Sequence, residues 1–158
     1  MSYEPAIIEG WIFTTLSGDA TLMGLLAPGN EPAGFQQGIY NTIAPDVDPV
    51  SRKLPIAPFV VFTLDGASAD ETALCGTRAF SNPSYRVTVW DTQSGSVSLA
   101  RAASIMDRID TLLDNQQVTS TSPRFFIRRE IPGQTFQLAA GGRTDYGITA
   151  VYRVVTQS

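Results

Sequence analysis

Between Trp90 and Arg124 the chain carries one long amphipathic stretch, about Ser96 to Asn115, set between segments whose apolar residues alternate. Leu99, Ala102, Ala103, Met106, Ile109 and Leu113 recur at a, d and e spacing, which makes a wide apolar stripe on a helix. Before it, Tyr85, Val87 and Val89 share one strand face, Arg86 and Thr88 take the other, and Trp90 closes the segment. After it, Arg124–Ile131 and Gly147–Val155 read as strands. In the second of these Ile148, Ala150, Tyr152 and Val154 alternate with Thr149, Val151, Arg153 and Val155. A one-striped helix and one-faced strands must bury against each other, so the pattern demands a sheet with helices on one face.

The remaining segments fit that demand. Ile7, Ile8, Trp11, Ile12 and Leu16 recur at helical spacing from Pro5 to Leu16, and Ser17-Gly18 breaks the helix. Asp19 stands where an N-cap belongs, ahead of Leu22, Met23, Leu25 and Leu26 in a second short helix. Residues 29–58 are rich in Gly and Pro and read as loop, interrupted by a short strand near Gly38–Ile43. Phe59–Leu64 is a continuous apolar run of strand length. A polar loop is expected over Asp65–Asn82. The reading is a single α+β domain over 1–158, two-layered, with a mostly antiparallel sheet.

Composition narrows the chemistry. The chain of 158 residues has no histidine and one cysteine, Cys75. Histidine triads, imidazole proton relays and His-liganded zinc sites are thereby excluded, as are an internal disulfide and a thiolate cluster. No Gly-x-Ser-x-Gly elbow, P-loop or dinucleotide fingerprint occurs. Asp46 and Asp48 before Pro49 read first as turn residues and second as a two-carboxylate metal site with no further ligand near in sequence. The adjacent Asp70-Glu71 pair diverges in an extended chain. Gly141-Gly142-Arg143 can turn the chain before the last strand or cradle an anion. Cys75 beside Gly76 and Arg78 reads as a small buried residue or a thiolate. Nothing assembles a nucleophile, a base and an orienting group, so the expectation is no enzyme, no cofactor and no metal.

Charge points toward interfaces. Fifteen acidic residues against eleven basic ones give −4, which argues against a general nucleic-acid binder. The bases are ten Arg and one Lys, a ratio that a high-GC genome favouring Arg codons would give and that also suits bidentate interface pairs. Residues 1–79 carry nine acids and three bases (−6), residues 80–158 six and eight (+2), a split that would help copies associate head to tail. On the long helix Asp107, Asp110 and Asp114 fall along one edge of the stripe, Arg101 and Arg108 along the other. Asp110 and Asp114 lie near the helix C-terminus, where the macrodipole disfavours each by about 0.3–1 kcal/mol. Two readings stand: a solvated face, or an acidic edge that meets arginines of an adjacent subunit. Arg128-Arg129 puts one guanidinium on each strand face, and the inward one needs a carboxylate near Glu130 or Asp145, or an interface. No signal peptide and no membrane-spanning run are expected.

Several stretches together resemble the tail-completion proteins of bacteriophages, the tail terminators of long-tailed phages and related gene-transfer particles. They are Leu16-Ser17-Gly18-Asp19-Ala20-Thr21-Leu22-Met23-Gly24-Leu25-Leu26, then Gly38-Ile39-Tyr40, Leu54–Phe62, Tyr85–Asp91 with the following helix, and Tyr152-Arg153-Val154. The likeness covers nearly the whole chain and consists of packing patterns; Asp65–Asn82 and Pro132–Tyr146 depart from it. It implies a virion protein made in the host cytoplasm and forming a ring, expected to be hexameric. That ring would cap the head-proximal end of the tail tube, stop tube polymerisation and join the neck connector, with genomic DNA passing through its lumen. Subunit-interface candidates are Arg101, Arg108, Asp107, Asp110, Asp114, Arg128 and Arg143. Asp65, Asp70, Glu71 and Arg78 would contact tube or neck, line the lumen, or lie in a surface loop. The alternatives are a head-completion or stopper protein of the neck, and an anion-binding module using Gly141–Arg143 and Arg128.

Overall fold

A computed structural model of the chain describes residues 4–26, 38–42, 58–72, 78–92, 97–140 and 143–157. In order they form α1 (Glu4–Ser17), α2 (Ala20–Leu25), β1 (Ile39–Asn41), β2 (Phe59–Thr72), β3 (Arg78–Thr92), α3 (Val97–Leu113), β4 (Gln116–Val118), β5 (Arg124–Ala140) and β6 (Arg143–Gln157). The six strands make one curled sheet in the order β1-β2-β3-β6-β5-β4. Only β1 and β2 pair in parallel; every other neighbour is antiparallel. The fold is α+β, as the alternation required.

Alternation fixes which strand residues meet the helices. Val60 and Phe62 of β2, Tyr85, Val87 and Val89 of β3, Phe125 and Ile127 of β5, and Ile148, Ala150, Tyr152 and Val154 of β6 are all buried. Against them lie Ile8, Ile12 and Leu16, one ridge of α1, with Leu22 of α2 and the stripe of α3. At roughly 25 cal/mol per Å² of apolar surface removed from water, this common core is the main source of stability. On α3 the stripe centres on Ala102, Ile105, Met106, Ile109 and Leu113, all buried. Leu99, assigned to it from spacing, sits in the first turn on its margin and is 41% exposed.

Helix ends follow the local chemistry. The Asp19 carboxylate accepts the Leu22 N–H at 2.7 Å, the N-cap bond that the sequence anticipates. Beyond Leu113 the chain turns at Asn115, whose φ of 56° is the left-handed conformation that Asn tolerates at a helix end.

Three expectations are corrected. Asp65–Asn82 is not a polar loop: β2 continues to Thr72 and β3 begins at Arg78, with register irregularities between Leu64 and Gly66, Gly66 and Ala69, and Glu71 and Thr72. Likewise β5 runs on through Pro132, which the irregularity between Ile131 and Gln134 accommodates, to Ala140. Backbone pairing continues a hairpin whatever the polarity of its side chains, so hydropathy alone placed both strand ends too early. The third correction is β4, a short edge strand whose Gln116-Gln117-Val118 buries only Val118. Asp46, Asp48, Cys75 and Gly141-Gly142 lie outside the described residues.

Candidate functional site

The two charged edges of α3 are occupied from within the chain. On the basic edge, Arg108 grips Asp19 with two bonds, Nε to Oδ1 at 3.0 Å and Nη2 to Oδ2 at 2.6 Å. The same carboxylate that caps α2 therefore ties it to α3. Hydrogen bonding from Arg108 first, and from the Leu22 N–H second, holds the Asp19 carboxyl below its ordinary range, and Asp19 in turn raises Arg108. Two turns earlier, Arg101 makes the same fork with Asp91 at the end of β3, at 2.7 and 2.5 Å. The Asp91 side chain is fully buried, whereas Arg101 keeps its outer part in solvent.

On the acidic edge, Asp110 receives the guanidinium of Arg129 and the phenol of Tyr152. Burial, and then the bond to Asp110, pushes the Tyr152 phenol well above its ordinary range. Asp114 accepts the backbone N–H of Arg129 at 2.7 Å. The inward arginine of the Arg128-Arg129 pair thus finds its carboxylate on α3, not near Glu130 or Asp145. The sequence left a solvated face and arginines of an adjacent subunit both open for this edge; here Arg129 on β5 of the same chain meets Asp110 and, through its N–H, Asp114. A sheet strand lying beneath a helix is invisible to a helical projection, which explains why Arg129 was not named.

Subtracting these pairs leaves few candidates free. Asp107 is exposed on α3, Arg128 is exposed on the outer sheet face, and no ion pair engages either among the described residues. Arg128 stands opposite Arg153, which pairs with Glu130 at 2.5 Å. Asp65 pairs with Arg86 at 2.6 Å across the β2–β3 hairpin. Farther along it Asp70 is opposite Ser81, Glu71 opposite Phe80 and Arg78 opposite Thr72; Arg143 opens β6 opposite Ala140. These residues occupy strands, not a free loop.

The sequence reading missed an aromatic row on the sheet face turned away from the helices. Phe59, Trp90, Gly147 and Phe136 are aligned by register across β2, β3, β6 and β5. Phe59 stacks on Trp90 with centroids 6.5 Å apart, and Trp90 meets Phe136 edge to face at 4.9 Å. Tyr40 of β1 extends the row against Phe59 at 5.8 Å. The glycine makes this possible, because a Cβ at 147 would fall 2.1 Å from the Phe136 ring. Such offset and edge contacts contribute about 0.5–1.5 kcal/mol each beyond area burial. The signal in the sequence was the set of aromatics at strand starts and ends, but joining them needed the register.

Among the described residues no group of three or more potential ligands gathers to hold a metal ion, and no helix is long and apolar enough to cross a membrane. No family model matches the chain, and no curated protein matches it. Among solved structures, a chain of the "Virion of native gene transfer agent (GTA) particle" aligns with a TM-score of 0.63. The alignment covers 93% of this chain and 92% of that one at 15% identity. The chain shares its fold with that chain of the virion particle. A second solved structure aligns at a TM-score of 0.48 and 12% identity, over 75% of this chain and 79% of its own.

Proposed function

We propose that the chain is a structural virion protein of the tail-terminator kind. It forms a ring, hexameric by the family resemblance, that caps the head-proximal end of a tail tube, ends tube polymerisation and offers the neck connector its joining surface. The observation that carries this reading is the alignment with the virion-particle chain, at a TM-score of 0.63 along 93% of this chain and 92% of that one. Net charge agrees with it: at −4 the protein repels transiting DNA and suits a conduit, not a reader of sequence. The role is assembly through shape and contact, without catalysis or cofactor.

The test is deletion of the gene followed by electron microscopy of the particles. Over-long tails, or tails that fail to join heads, are expected. Empty or leaking heads carrying tails of normal length would move the protein to head completion or a neck stopper. Normal particles would overturn the reading, and labelled protein at the head-proximal tail end would support it.

A further inference from the structure

Among the described residues, the long strands at both borders of the sheet are mostly unaccompanied. β4 borders β5 only at Phe125–Ile127, and the Asp114 carboxylate takes the N–H of Arg129 just beyond. From Glu130 to Ala140 no described strand lies on that side. β1 borders β2 only at Val60–Phe62, where Thr42 N–H also donates to the Phe62 carbonyl at 2.8 Å. From Thr63 to Thr72 β2 has a described partner on the β3 side only.

Proteins that stay apart guard such edges with charges, prolines and bulges. Pro132 and the irregularity between Ile131 and Gln134 guard the first part of the open β5 edge. Gln134–Ala140 has no guard. It contains no charge and no proline, and it pairs with β6 in unbroken register from Gln134–Thr149 to Ala140–Arg143. Leu138 there is 50% exposed. β2 differs: beyond Asp65, which pairs with Arg86, its open half carries Asp70 and Glu71 with no base, a sequence that disfavours pairing with a copy of itself.

We propose that Gln134–Ala140 of β5 pairs, strand to strand, with the open half of β2 in a second copy of this chain. Charge favours that partner, since the acidic β2 half would approach Arg128, which no ion pair engages among the described residues, and Arg143, the two bases that flank the neutral β5 segment in sequence. Direction favours it too. Three antiparallel pairings separate β2 from β5, so they run oppositely, and a copy rotated about an axis along the strands meets β2 antiparallel. Two different edges make a heterologous contact, as ring closure requires, whereas β5 on β5 would close as a dimer. The open halves lie at opposite ends of the sheet, on either side of the row Leu64–Tyr85–Tyr152–Arg129. Pairing therefore offsets neighbours along the strands and inclines the strands to the ring axis, as in closed barrels. This inference rests on the ring reading and names its contact.

The test uses the full chain and the sign of an added charge. Gln134→Glu with Gln137→Glu, both at exposed positions, is expected to weaken self-association in sedimentation velocity at least about tenfold. The matching Gln134→Lys with Gln137→Lys is expected to keep or tighten it, and circular dichroism of both should match the parent. A photo-crosslinking p-benzoylphenylalanine at position 137 should capture residues 64–72 of another copy. Equal weakening by both signs, or capture of 134–140, would overturn the β2 assignment in favour of a two-fold contact. A chain that stays monomeric at every concentration overturns the edge pairing altogether. Rings whose crosslinks map elsewhere overturn it while leaving the ring standing, and gene deletion tests the ring independently.

Discussion

Arg108 of α3 and Asp19, the N-cap of α2, are joined by a two-bonded ion pair, and the same carboxylate accepts the Leu22 N–H. One side chain thus sets where α2 begins and how it lies on α3. Replacing Asp19 by Ala removes both functions and is expected to cost about 1–2 kcal/mol in urea unfolding. Asp19→Asn keeps an acceptor for the cap and should cost less. The pH sign follows from the depressed carboxyl. Its folded pKa lies below the unfolded 3.8, so its contribution is full above that value and lost as pH falls through the folded one. Stability of the parent should therefore fall more steeply below about pH 4 than that of Asp19→Asn. Parallel acid curves would show that the pair contributes nothing.

Arg101 and Asp91 form a different kind of pair, because the carboxylate is fully buried and the guanidinium is not. Removing the exposed partner leaves the buried one short of its donors, which costs more than the loss of an ordinary surface pair. Arg101→Ala is expected to lower stability by about 1–3 kcal/mol, with Arg101→Lys between it and the parent. A change below about 0.5 kcal/mol would mean that solvent replaces the guanidinium freely.

Much of the fold was written in apolar spacing, and the exceptions have physical reasons. Tyr85, Val87, Val89 and the four alternating residues of the last strand point inward as their period requires. The Asp19 cap was legible because capping is local. The outer ends of β2, β3, β5 and β6 were not, since a hairpin held by backbone pairing shows no apolar signature. For the charges on α3 a helical projection leaves a solvated face and an adjacent subunit's arginines both open, and it cannot name Arg129 of the same chain, which meets Asp110. Whether Arg129 meets Asp110 depends on tertiary position, which no helical projection contains. The row from Phe59 to Phe136 depends on register, and register emerges only when the strands are laid side by side.

The cluster of Tyr152, Asp110 and Arg129 lies between β6, α3 and β5. Tyr152→Phe keeps the ring and removes one hydrogen bond to a charged group, so a loss of about 1.5–3 kcal/mol is expected. Asp110→Lys would set two cations together beneath the helix and should lower the melting temperature of the isolated chain, not only its assembly. The phenol is raised above its usual value of 10, so the stability it contributes is full below that pH and lost as pH rises beyond it. Absorbance near 295 nm should show Tyr152 ionising only with alkaline unfolding. Titration at an ordinary tyrosine value in the folded chain would remove the buried bond from the account.

Gly147 tests the outer aromatic row without touching the core. Its alanine variant places a methyl where the Phe136 ring now lies, so the ring must swing away and give up its edge contact with Trp90. Overpacking of this kind costs about 1–3 kcal/mol, and the lost aromatic contact adds to it. Phe136→Ala makes room and removes the contact, so Gly147→Ala in that background should cost much less than in the parent. The double-mutant cycle reads this coupling directly. Additive losses would show that Gly147 serves the backbone and not the ring, whereas a strong coupling would place the aromatic row among the elements that hold β5 on β6.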